Sequence, residues 1–125
     1  EACREEASLR GMRVTGSEIV GLVPLEAMLA AGQDTALLRF SLGNEYLKAG
    51  EPVGAATHFR AAVQQDPGYS AAWKLLGRAL KEAGQADEAL AAWREGLATA
   101  RDRGDLQVAR ELEVFIRRLE RERNS

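Results

Sequence analysis

The sequence predicts an all-α chain of two tandem helical hairpins, preceded by a short N-terminal helix and closed by a C-terminal capping helix. Three observations carry that expectation. A shift of 34 residues lays Leu42 on Leu76, Gly43 on Gly77, Ala49 on Ala83, Gly50 on Gly84, Ala55 on Ala89 and Arg60 on Arg94, and self-similarity at such a period marks stacked supersecondary units. Alanine is abundant while aromatics make up only 6% of the chain, a mixture that suits closely packed helices. Beyond Gly104 the sequence is polar overall, yet Leu106, Ala109, Leu112, Phe115, Ile116 and Leu119 fall at spacings of three and four, which is one face of a helix.

The bulk properties bound the function. A chain of 125 residues supports one core that buries roughly two thirds of the unfolded surface, and a second independent core is not expected. The formal charge of −2 provides no general field for nucleic acid or an anionic membrane, so neither is an expected partner. Cys3 has no second cysteine for a disulfide or a zinc site, consistent with a reducing cytoplasm. No apolar run approaches the roughly 20 residues of a membrane-spanning helix, and no secretory signal opens the chain. Because the chain begins with Glu1 and not methionine, the expectation is that it was cut from a longer polypeptide or had a tag removed.

Each element can be justified in order. Residues 1–23 are expected to form an arm, and Val14 to Val23, rich in glycine and β-branched residues, reads as strand or turn. Such a strand has no partner in a helical array, so the arm is expected to be partly disordered. From Pro24 to Ala31 a proline-led segment with an early glutamate, stopped by Gly32, predicts a short helix over the front of the first hairpin. The hairpin helices are expected at about 35–49, 53–66, 70–83 and 87–101. Gly50 and Gly84 close the first helix of each pair, Pro52 suits a first turn, Ser70 is a good N-cap and Pro67 halts the helix before it. The last helix is expected at 105–122 with Asp105 as N-cap, covering the second hairpin. The alternative is that its stripe through Leu112, Phe115 and Leu119 meets a second copy, making a homo-oligomer.

The repeat also has a chemical logic. Gly43 and Gly77 sit mid-helix, where glycine costs about 1 kcal/mol relative to alanine, so a neighbouring element is expected to approach closely there. Ala55, Ala62, Ala89 and Gly96 keep the second helices slim, while Phe59 and Trp93 supply bulk between hairpins.

These residues resemble the tetratricopeptide repeat family, whose 34-residue unit reads W-x2-L-G-x2-Y, then A-x3-F, then P. Residues 36–69 present Leu42, Gly43, Tyr46, Ala55, Phe59 and Pro67, with Arg39 in place of the tryptophan. Residues 70–103 present Trp73, Leu76, Gly77 and Ala89, with Leu80 and Trp93 as apolar substitutes and Arg101 in place of the proline. The resemblance implies a right-handed α-solenoid and a protein-binding scaffold, with residues 24–125 forming the repeat domain. Separately, Arg4 to Leu29, with its Gly16 to Pro24 core GSEIVGLVP, is similar to the closing segment of glutamate formiminotransferases. That resemblance implies a catalytic histidine and folate-contacting lobes upstream of this segment, so no transferase activity and no catalytic residue are carried over.

The search for chemistry points away from catalysis. His58 stands without a cysteine or carboxylate set of recognisable spacing, and Ser8, Ser17, Ser41, Ser70 and Ser125 have no triad context. Gly16 to Gly21 lacks the lysine of a phosphate loop and the repeated glycines of a dinucleotide fingerprint. The chain is therefore expected not to be an enzyme and to need no cofactor or metal. The arginines of the tail, Arg117, Arg118, Arg121 and Arg123, alternate with Glu120 and Glu122 as in surface pairing.

The informative surface is the one that the resemblance assigns to the first helix of each hairpin. It carries Leu37, Phe40, Asn44 and Leu47, then Ala71, Lys74, Arg78 and Lys81. Phe40, Asn44, Lys74, Arg78 and Lys81 are the expected peptide contacts, for a protein or peptide partner with an acidic segment. The likeness to the carboxylate clamp of chaperone-tail binders is partial, because Phe40 replaces its first lysine and Leu75 stands where an asparagine would follow Lys74. The alternative function is a non-catalytic tail of a formiminotransferase-like enzyme, serving in assembly.

Overall fold

The computed structural model describes residues 24–124, and those residues form six helices. Residues 24–30 make α1, followed by α2 (Ala36–Lys48), α3 (Pro52–Gln65), α4 (Ser70–Glu82), α5 (Ala86–Arg103) and α6 (Leu106–Arg123). The expected arm, including its strand or turn at Val14 to Val23 and Cys3, lies outside the described residues.

Local chemistry sets most boundaries. Thr35 caps α2 by accepting a hydrogen bond from the Leu38 amide at 3.1 Å. Pro52 occupies the first turn of α3, where its missing N–H removes nothing from the helix. Gly50 and Gly84 take φ of +78° and +84°, the left-handed conformation that lets the chain leave one helix and enter the next. The cap at α4 differs from expectation. Tyr69 holds the N-cap position and Ser70 is the first helical residue, buried, with its hydroxyl donating to Asp105 Oδ2 at 2.7 Å. Asp105 is at the N-cap of α6 but makes no side-chain cap bond, since its carboxylate faces Ser70. The two expected capping side chains thus join the starts of α4 and α6.

Consecutive helices pack pairwise from α2 to α6, and α4 also touches α2 and α6. The mid-helix glycines are where the backbone admits a large ring. A Cβ at Gly43 would stand 2.5 Å from the Phe59 ring, and one at Gly77 would fall on the Trp93 indole. Gly96 does the same for Trp73, whose Cβ would lie 2.6 Å away. Phe59 and Trp93 are consequently buried, at the centre of a core completed by Leu76, Leu80, Leu90, Leu112 and Leu119. A smaller cluster joins Leu25 and Leu29 of α1 to Leu38 and Leu42 of α2, so α1 covers the front of the first hairpin.

The stripe of α6 turns inward. Ala109, Leu112 and Leu119 are buried, and Phe115 meets Trp93 with ring centroids 5.4 Å apart. Five ion pairs border this seam, joining Lys74 to Glu111, Lys81 to Glu122, Arg94 to Glu120, Arg101 to Glu113 and Arg123 to Asp87. The residues that would have formed a seam with a second copy are occupied within the chain.

Candidate functional site

The five expected contact residues divide into two groups. Phe40 and Asn44 lie one turn apart on α2, both half-buried. The Phe40 ring sits 4.8 Å from that of Tyr69 and 5.8 Å from that of Phe59, centroid to centroid. It bridges the two hairpins. Leu37, one turn earlier, is 66% exposed.

Lys74, Arg78 and Lys81 fall on one face of α4 at spacings of four and three. Each already has a carboxylate neighbour: Lys74 donates to Glu111 at 2.9 Å, Arg78 to Glu82 at 3.1 Å, and Lys81 stands 3.8 Å from Glu122. Glu111 and Glu122 come from α6, which runs alongside the basic stripe. The Arg78 and Lys81 pairs are exposed and worth about 0–1 kcal/mol, so an incoming carboxylate can exchange with them at little cost, whereas the Lys74 pair is part-buried.

Beside this stripe opens a cavity of about 400 Å³ lined by Arg78, Lys81 and Glu82 of α4, Trp93 of α5, and Phe115 and Arg118 of α6. The Trp93 indole N–H is already satisfied by the Lys74 carbonyl at 2.9 Å. Trp93, 3% exposed, forms the buried floor of the cavity and half-buried Phe115 its apolar wall. Three cations surround them against one carboxylate, and Arg118 has no carboxylate partner among the described residues. The structure thus brings Arg78 and Lys81 together with three residues that sequence reasoning assigned elsewhere. Trp93 read as filler between hairpins, Phe115 as part of the capping stripe and Arg118 as tail pairing. The available signal was the i,i+3 spacing of Phe115 and Arg118 beside that of Arg78 and Lys81, but nothing local places the two pairs on adjoining helices.

A second polar cluster lies at the opposite end. Asp34 accepts hydrogen bonds from Arg39 at 2.8 and 2.9 Å and from Gln65 at 2.8 Å. Those of Arg39, then of Gln65, hold its carboxyl down to about 2. Arg39 Nη1 also lies 3.1 Å from His58 Nδ1. A guanidinium can only donate, so Nδ1 accepts and the imidazole is neutral with its proton on Nε2. Burial, then the Arg39 charge, lowers the His58 pKa. His58 stacks on Tyr46 at 5.0 Å, and the Tyr46 hydroxyl donates to Glu26 of α1. That bond pushes the phenol up to about 12. The cluster ties α1, α2 and α3 together, and no group of three metal-ligating side chains occurs among the described residues.

This architecture defines a class, the helical-repeat fold of stacked antiparallel helix pairs. Comparison with known proteins makes it specific. The tetratricopeptide repeat model matches residues 46–111. A TPR repeat-containing protein of Pseudomonas aeruginosa is 54% identical over 99 residues, covering 79% of this chain and 94% of the relative. The chain belongs to the tetratricopeptide repeat family. A Bordetella parapertussis protein solved in solution shares 52% identity with a TM-score of 0.69, over 79% of this chain and 86% of that one. A tetratricopeptide repeat domain protein of Salinibacter ruber, solved as a crystal structure, gives 25% identity and a TM-score of 0.65 over 70% and 97%. A formiminotransferase domain model matches residues 1–36 only. Proteins of the tetratricopeptide family generally act as protein-interaction modules, and no helix among the described residues is long and apolar enough to cross a membrane.

Proposed function

We propose that this chain is a non-catalytic, cytoplasmic adaptor whose repeat unit, residues 24–125, holds a peptide segment on the face shared by α2, α4 and α6. In this reading repeats 36–69 and 70–103 build the face, the helix at 105–122 caps it, and residues 1–23 are an appended arm. Phe40 and Asn44 contact the peptide at one end, and Lys74, Arg78 and Lys81 receive its carboxylates. The observation that carries this is the row of three α4 cations, of which Arg78 and Lys81 are held only by exchangeable surface pairs while Lys74 is set in place by a part-buried one. Binding acidic peptides to the wild type and to a Lys74→Glu, Arg78→Glu double variant tests it. Weaker binding by a variant with unchanged helical content is expected, and undiminished binding would reject the groove.

A second reading has one observation in its favour. The match of residues 1–36 to a formiminotransferase domain model fits a repeat unit carried by such an enzyme and serving in its assembly. An intact folate-enzyme domain in frame upstream of Glu1 would support this reading, and an unrelated reading frame there would remove it.

A further inference from the structure

We infer that the cavity between α4, α5 and α6 is the anchor of that face, taking one apolar side chain of a peptide against Phe115, above the buried Trp93, while flanking carboxylates meet Arg118, Arg78 and Lys81. The inference rests on the peptide-binding reading and adds the class of ligand. Size, surface chemistry and charge all point to it. A volume of about 400 Å³ lies in the range of pockets that enclose a compact ligand group. The half-buried Phe115 ring offers the apolar surface, over a buried Trp93 whose only polar atom is already bonded to a backbone carbonyl, so burying a hydrocarbon there leaves nothing unsatisfied.

The charges select the partner's sequence. Cations stand on both bordering helices, Arg78 and Lys81 on α4 and Arg118 on α6. Carboxylates on either side of the apolar residue can engage both, and Arg118 offers a planar fork suited to a carboxylate. Glu82 lies within the site and Glu122 beside Lys81, and the chain carries a net charge of −2. These disfavour a continuous phosphate backbone, so the occupant is an acidic protein segment with an embedded aromatic or branched aliphatic residue.

The test uses the whole chain and a fluorescein-labelled peptide with one phenylalanine between two pairs of aspartates. Its companions replace the phenylalanine by alanine, or the aspartates by lysines. The phenylalanine peptide is expected to bind about tenfold tighter than either companion, and Arg118→Glu is expected to remove most of that advantage. Arg110→Glu, on the same helix outside the cavity, should bind as the wild type does, and matched urea midpoints would confirm that both variants fold. Equal binding of the phenylalanine and alanine peptides, or full binding by the folded Arg118→Glu variant, overturns the anchor while leaving the α4 groove intact. Loss of all acidic-peptide binding would instead reject both readings. Preferential binding of a single-stranded oligonucleotide would overturn the peptide as occupant.

Discussion

At the residue scale Gly77 concentrates the argument. Helix propensity alone would have Gly77→Ala stabilise α4 by about 1 kcal/mol. The Trp93 ring occupies the place of the added methyl, and that ring is buried and pinned by its bond to the Lys74 carbonyl. Overpacking of such a site costs about 1–3 kcal/mol, so the net effect is expected to be a loss, read as a lower urea midpoint. An unchanged or higher midpoint would mean that the indole moves freely. The close approach at Gly43 and Gly77 was legible in the sequence because glycine mid-helix demands a cause. The Ser70 to Asp105 bond was not, since each residue fits a local capping role and only tertiary packing brings them within 2.7 Å.

His58 adds a pH dependence with a definite sign. Its folded pKa lies below the ordinary 6.5, so as pH falls through about 6.5 the unfolded chain takes up a proton that the folded chain resists. Its contribution is fully present above that value and declines below it as the bond from Arg39 is lost. Stability is therefore expected to fall as pH drops below about 6.5, and His58→Gln to flatten that slope. Equal slopes in the two proteins would show that His58 is not the titrating group. Asp34 acts in a separate, lower window, its contribution being lost as pH drops from 3.8 towards about 2.

At the scale of the element, α6 shows what periodicity can and cannot establish. The spacing of its apolar residues gave the helix and its buried face, and the structure starts it one residue after the expected position. Periodicity alone does not say which surface the face meets, so a second copy stood as the alternative to the expected second hairpin, and the structure places Leu112 and Phe115 against α5. The same ambiguity hid the cavity, whose six lining residues come from three helices. Leu112→Ala is expected to cost about 2–5 kcal/mol, because a fully buried leucine leaves a hole that the surrounding helices fill only in part. Leu106→Ala, at a position 59% exposed in the same helix, should stay within about 0.5 kcal/mol of the wild type. Comparable losses at the two positions would mean that α6 docks differently.

For the whole molecule the question is what closes a stack of only two hairpins, since such arrays usually need about three units to be stable. At the front, α1 places Leu25 and Leu29 on Leu38 and Leu42. At the back, α6 supplies both an apolar seam and the five bordering ion pairs. In four of those pairs both side chains are more than a third exposed, where a pair contributes about 0–1 kcal/mol and salt screens it. The apolar seam must therefore dominate. Raising salt to about 1 M is expected to leave the urea midpoint nearly unchanged, whereas ending the chain at Arg103 should uncover Trp93 and leave the second hairpin without its far side. Such a truncated chain is expected to lose cooperative unfolding or to self-associate, seen as a broadened transition or as a scattering mass above the monomer's. A truncated chain that stays monomeric with a sharp transition would show that the two hairpins are self-sufficient, and that α6 is there for its binding surface alone.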